Sequence, residues 1–313
     1  MLQRLNPYVA GYILVYCLNT WFATSVDGFP LEEALGVLIV MGIGFSLIAH
    51  FLSRGATPLD EPRPAQTNER MVLLGLVIYF MLVIIPGNKP LTLLLPASWQ
   101  DTEAKLSVIT LVRKLTTFVV FPFLAYRFLY RIGASDFGLS TDWKRVFSRK
   151  HMMIFFGMSF LLAAFNYYAG SGARPLREGL LSGQQLLLGI PILFLWDYLE
   201  VGLGEEFFFR GLLQNRLAVL LRSPWGSIFV TAFIFGVVHA PGMYLRGAGV
   251  IEGLGGAPSL LTCISYCIAV QSVTGIFFGI LWHRTRNLWI LMGIHAITDL
   301  VPHLYGFVKE WGI

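Results

Sequence analysis

The sequence predicts an all-α fold: a polytopic transmembrane helical bundle of about nine spans. Three observations predict it. Apolar residues make up 56% of the 313-residue chain and charged residues only 13%, about half the charged share of a soluble domain. The apolar residues gather in runs of roughly 20, the length that crosses a bilayer as a helix. Most Lys and Arg residues fall between these runs, where they set orientation.

The spans are expected in this order. Tyr8 to Ala23 is an uncleaved first span, because no small-x-small cleavage site follows it. Ala34 to Leu52 is the second, followed by a polar, proline-bearing loop from Ser53 to Arg70. Met71 to Pro86 is a short third span. Leu106 to Tyr130 is the fourth, with Arg113 and Lys114 near its start and Pro122 inside. A basic stretch from Arg131 to Lys150 reads either as an amphipathic piece on the inner membrane surface or as a solvated loop. His151 to Ala169, Leu186 to Leu213 and Trp225 to Ala240 are the fifth to seventh spans. A glycine-rich loop from Pro241 to Pro258 leads to the eighth, Leu260 to Trp282, and Leu288 to Val308 is the ninth.

Charge distribution orients this topology. With the N-terminus in the cytoplasm, the inner segments hold Arg4, the arginines of the Ser53 to Arg70 loop, most basic residues between Arg127 and Lys150, Arg210, Arg216, Arg222, Arg284 and Arg286. The outer segments hold only Lys89, Arg174, Arg177, Arg246 and Lys309. This bias predicts a multi-pass protein with a cytoplasmic N-terminus. The net charge of +5 is a membrane-orientation signal, so no nucleic-acid partner is expected. Cys17, Cys263 and Cys267 all lie in apolar runs and form no disulfide framework. Cys263 and Cys267 share a helix face and read as small buried hydrophobes. Two parts are expected: residues 1–185, N-terminal helices of unassigned role, and residues 186–313, which carry the chemistry.

That chemistry centres on Glu205-Glu206-Phe207-Phe208-Phe209-Arg210. A charge in hydrocarbon costs roughly 2.5–3.5 kcal/mol on insertion scales and marks a functional site with a partner. Glu206 and Arg210 are four apart and face each other on a helix. Glu205 is turned about 100° from Glu206, which leaves it available as a general base. His239 ends the seventh span, and His295 and Asp299 share a face of the ninth. There Asp299 is expected to accept from the His295 ring and fix its tautomer. His303 continues that stripe as an interfacial residue.

These residues allow three kinds of chemistry. A glutamate–histidine pair activates water for peptide hydrolysis. Alternatively Glu205, His239 and His295 hold zinc, as the open three-ligand site of a metalloprotease. Or the groups relay protons in a transporter, although no repeated broken helices are visible. The chain has no His-Glu-x-x-His, which weighs against zinc, and no Gly-x-Ser-x-Gly and no cysteine in a histidine motif, so serine and cysteine nucleophiles are not supported.

Glu-Glu-x-x-x-Arg, then Phe-x-x-x-His, then His-x-x-x-Asp, in separate spans, resemble the motifs of the CAAX protease and bacteriocin-processing (CPBP) membrane proteins. These are glutamate-dependent intramembrane proteases similar to the type II CAAX prenyl endopeptidases. The resemblance covers roughly residues 186–308. It implies that Glu205, with His239, activates the attacking water, and that Glu206 and Arg210 form a supporting pair. It further implies that His295 helps stabilise the oxyanion and that Asp299 fills the last motif position. The prenyl proteases typically carry Asn there, whose amide donates a hydrogen bond that an ionised Asp cannot. The nearer likeness is therefore to the bacterial branch, which implies a bacterial inner membrane and a peptide or protein substrate at the bilayer. A non-catalytic scaffold or bacteriocin-immunity protein of the same fold is the alternative.

Overall fold

The computed structural model describes residues 6–26, 28–99, 101–249, 251 and 256–313; Arg4 and part of the glycine-rich loop after His239 lie outside the described residues. Every regular element among them is helical. The long helices are α1 (Pro7–Ser25), α2 (Leu31–Leu52), α3 (Glu69–Ile84), α4 (Glu103–Tyr130), α5 (Arg149–Ala169), α6 (Gly183–Leu220), α7 (Pro224–Arg246), α8 (Leu260–Thr285) and α9 (Leu288–Trp311). Seven of these described helices, α2 and α4 to α9, are long and apolar enough to cross a membrane, and the chain is a multi-pass membrane protein. The other two positions expected to span are weaker. At 16 residues α3 is about 24 Å long, short of the roughly 30 Å hydrocarbon core. α1 carries Tyr8, Tyr12, Tyr16, Asn19 and Thr20 among its apolar residues.

Polar residues just before the apolar runs start the helices. Side chains of Asn6, Thr102, Ser148, Ser182, Ser223, Ser259 and Asn287 accept from backbone N–H groups in the first turns of α1 and α4 to α9. Each satisfies a donor that the helix start leaves open, worth about 1 kcal/mol. Pro7 and Pro224 sit in first turns, where a missing N–H costs nothing.

Contacts group the chain into two units. The first comprises Met1–Gly87 and Phe209–Arg286, the second Asn88–Phe208 and Asn287–Ile313. Neither is a contiguous half, and the division falls inside α6.

In the first unit, Tyr12 and Tyr16 of α1 reach the Ser272 hydroxyl at 2.7 Å and the Ala269 carbonyl at 3.1 Å. Cys263 and Cys267 are buried and unoxidised, in an apolar cluster with Ala23, Phe29, Ala34, Ala240 and Met243. Arg216 is clamped on Glu69 through two nitrogens and also donates to the carbonyls of Arg63 and Pro64.

In the second unit, α9 packs along α5 and α6. Asn166 donates to the Thr298 carbonyl at 2.7 Å, and Tyr198 to that of Trp289 at 3.2 Å. The stretch between α4 and α5, expected as a surface piece or a solvated loop, is tied to this unit through a few of its residues. Phe137 is buried against Phe207, ring centroids 4.9 Å apart. The Gly138 carbonyl accepts from Leu288 N, and Ser140 O accepts from the Trp289 indole. Its aromatic residues thus anchor a segment that its basic residues had marked as solvated.

Candidate active site

The acidic pair lies on a locally rewound part of α6. Glu205 and Glu206 belong to a single α-helical turn, Gly204–Glu206, between two π-helical segments, Tyr198–Leu203 and Phe207–Gln214. Such i→i+5 segments cluster at functional sites. Gly202 sits in the first of them, and a Cβ there would meet the Met292 carbonyl oxygen at 2.7 Å. Only glycine lets α6 approach the α9 backbone this closely.

That approach brings Glu206 to His295. The His295 Nδ1–H donates to Glu206 Oε1 at 2.7 Å, with both side chains buried. A carboxylate only accepts, so this bond fixes which ring nitrogen carries the proton. Asp299 Oδ2 lies 3.6 Å from His295 Nε2, beyond hydrogen-bond length. The two carboxylates thus flank opposite ring nitrogens: Glu206 on α6 makes the hydrogen bond, and Asp299, one turn along α9, stands near the other nitrogen.

Glu205 turns to a different partner. Lys114 of α4 places its Nζ 3.1 Å from Glu205 Oε1 and 3.2 Å from Glu200 Oε1. Glu200 in turn accepts from the Trp196 indole at 2.7 Å. The Lys114, Glu200 and Glu205 side chains keep 15%, 18% and 10% exposure, whereas Glu206 keeps none. Glu205, expected to turn away from the Glu206 and Arg210 pair, thus meets a cation from a helix about 90 residues earlier. Nearby, Asp197 of α6 lies 3.7 Å from His303 of α9, whose side chain is 54% exposed.

Arg210 and His239 belong to the first unit. Arg210 is fully buried, with its guanidinium carbon 4.5 Å from the Phe235 ring centre and 5.1 Å from that of Phe278. One nitrogen donates to the Gly275 carbonyl at 3.4 Å. These rings stabilise the cation through their electron-rich faces. Phe235 also serves His239: its carbonyl accepts from His239 Nδ1 at 2.6 Å, and the two rings meet edge to face. A carbonyl only accepts, so Nδ1 carries a proton in this bond. A Cβ at Gly236 would meet the Cys267 carbonyl oxygen at 2.7 Å, so glycine lets α7 and α8 pack closely just before His239.

Sequence reasoning missed Lys114, Glu200 and Asp197. All three are charges inside apolar runs, the signal that exposed the glutamate pair. Among the described residues no three His, Cys, Asp or Glu side chains are grouped so as to hold a metal ion. The zinc reading of Glu205, His239 and His295 gains no geometric support, and no step below uses a metal.

Residues 187–301 match the family model described as Type II CAAX prenyl endopeptidase Rce1-like. Comparisons with curated proteins and with solved structures give no match. The matched segment spans α6 to α9 and holds Glu205, Glu206, Arg210, His239, His295 and Asp299. Lys114 lies outside it.

Proposed function

We propose that this chain, whose residues 187–301 belong to the Rce1-like family of type II CAAX prenyl endopeptidases, is an integral membrane endopeptidase that hydrolyses a peptide bond at the bilayer with an activated water. Glu205 is the general base: it takes a proton from water as the hydroxide attacks the scissile carbonyl, and later returns it to the leaving amine. His295 donates from Nε2 to the developing oxyanion. That requires both ring nitrogens to carry protons, and Glu206 against Nδ1 is the group that offsets the resulting charge. His239 assists the water and Arg210 supports the glutamates, roles that come from the family resemblance. The substrate is a peptide or protein presented at the membrane, and the N-terminus faces the cytoplasm of a bacterial cell.

The observation that carries this reading is the division of labour between two adjacent membrane-embedded acids. Glu206 is fully buried and bound to His295, while Glu205 is partly accessible and bound to Lys114. The two side chains reach different groups on different helices, His295 on α9 and Lys114 on α4. The test uses purified protein in liposomes and fluorogenic peptides ending in Cys-aliphatic-aliphatic-X, with and without a prenyl group. Glu205→Gln is expected to lower cleavage by about 10³-fold with the protein still monodisperse. His239→Ala is expected to lower it as well. Wild-type cleavage by Glu205→Gln would refute the mechanism and favour the scaffold or immunity role.

A further inference from the structure

Lys114 lies well inside α4, where an ammonium in an apolar span carries a heavy desolvation cost. It is held by two carboxylates, Glu205 at 3.1 Å and Glu200 at 3.2 Å. Those acids are five residues apart. On a regular α-helix, positions five apart point about 140° from each other, too far for one ammonium to bridge readily. The Tyr198–Leu203 segment is π-helical, so five residues make about one turn. The rewinding therefore stacks Glu200 and Glu205 on the side that faces Lys114.

Glu200 is itself pinned by the Trp196 indole at 2.7 Å. Lys114 is thus fixed from behind and presents its Nζ to Glu205. One ammonium thus lies between two carboxylates and not beside one. Simple burial of a lysine would need only one acid, and a second raises the cost.

We propose that Lys114 is a positioning residue for Glu205: anchored by Glu200, its ammonium holds the Glu205 carboxylate where the attacking water is activated. This rests on the reading of Glu205 as general base. It makes α4, outside the family-matched segment, part of the working site.

The test measures kcat and KM on the same fluorogenic peptides in liposomes. Lys114→Met is expected to lower kcat by about 100-fold, the cost of misplacing a reacting group by about 1 Å, with KM unchanged. Lys114→Arg, which can still bridge two carboxylates, is expected to recover most of that loss. In detergent, the melting-temperature shifts of Lys114→Met and Glu205→Gln are expected to be non-additive, and additive shifts would overturn the contact. Should Lys114→Met fail to fold, Glu200→Gln takes its place. It keeps the Lys114–Glu205 pair but frees the Nζ, so kcat is expected to fall several-fold. Wild-type kcat in these variants, with Glu205→Gln inactive, overturns the proposal alone. Wild-type cleavage by Glu205→Gln removes the protease reading and this proposal together.

Discussion

Two buried charge clusters, one in each unit, are built on opposite plans. In the first unit Arg216 meets Glu69 through two nitrogens, and two carbonyls accept its remaining donors. The Gln66 amide donates back to Glu69, and the pair is almost wholly buried. Donors and acceptors match, and charge sums to zero. In the second unit Lys114 serves two carboxylates, both partly exposed. One ammonium lies between two carboxylates there, and the acids can be reached. A closed pair solves its own burial, whereas an open cluster keeps charge available for chemistry.

Substitutions should separate the two plans. The largest stability effect is expected at the closed pair: Glu69→Ala should cost about 3–5 kcal/mol by stranding Arg216. Thermal unfolding in detergent measures it. Replacing both partners together, Glu69→Leu with Arg216→Met, should recover most of that stability and leave cleavage intact. No apolar replacement of Lys114 and Glu205 together should recover cleavage, and if one did, the contrast would collapse. Next in size is Gly202→Ala. Its Cβ would press on the Met292 carbonyl and push α6 from α9, costing about 1–3 kcal/mol. Because the same movement parts Glu206 from His295, cleavage should fall with stability. The smallest effect is expected from Asp299→Asn. With Asp299 at 3.6 Å from His295, cleavage should change by less than about tenfold, and a larger loss would return Asp299 to the centre of the site.

Much of this site could be read from the sequence, for identifiable reasons. The acids stand out because glutamate is costly in an apolar run, and adjacent helical positions turn them about 100° apart. Ser, Thr and Asn ahead of the apolar runs mark the helix starts, a signal that the run lengths alone do not use. Lys114 was visible only as a charge at the edge of an uncertain span, because nothing local ties it to a helix about 90 residues later. Asp197 and Glu200 were hidden by Leu, Phe and Ile neighbours that keep the run apolar on average. The π-helical turn of α6 at Tyr198–Leu203 leaves no mark in composition; it lies where α6 packs against α9. The docking of the basic stretch between α4 and α5 was concealed in the same way: its lysines and arginines dominate the count, while Phe137 and Trp143 make the contacts.

The rewound turn at Tyr198–Leu203 also bears on how length variation in this helix would be tolerated. It takes up one residue more than a regular turn needs. Deleting Val201 would leave Glu200 and Glu205 four apart on a plain α-helix, still on one side. What keeps both acids on one side is therefore one turn and not a residue count. Related chains would be free to differ by a single residue here while keeping both acids on their lysine. A pattern written with a fixed gap of five would pass over them.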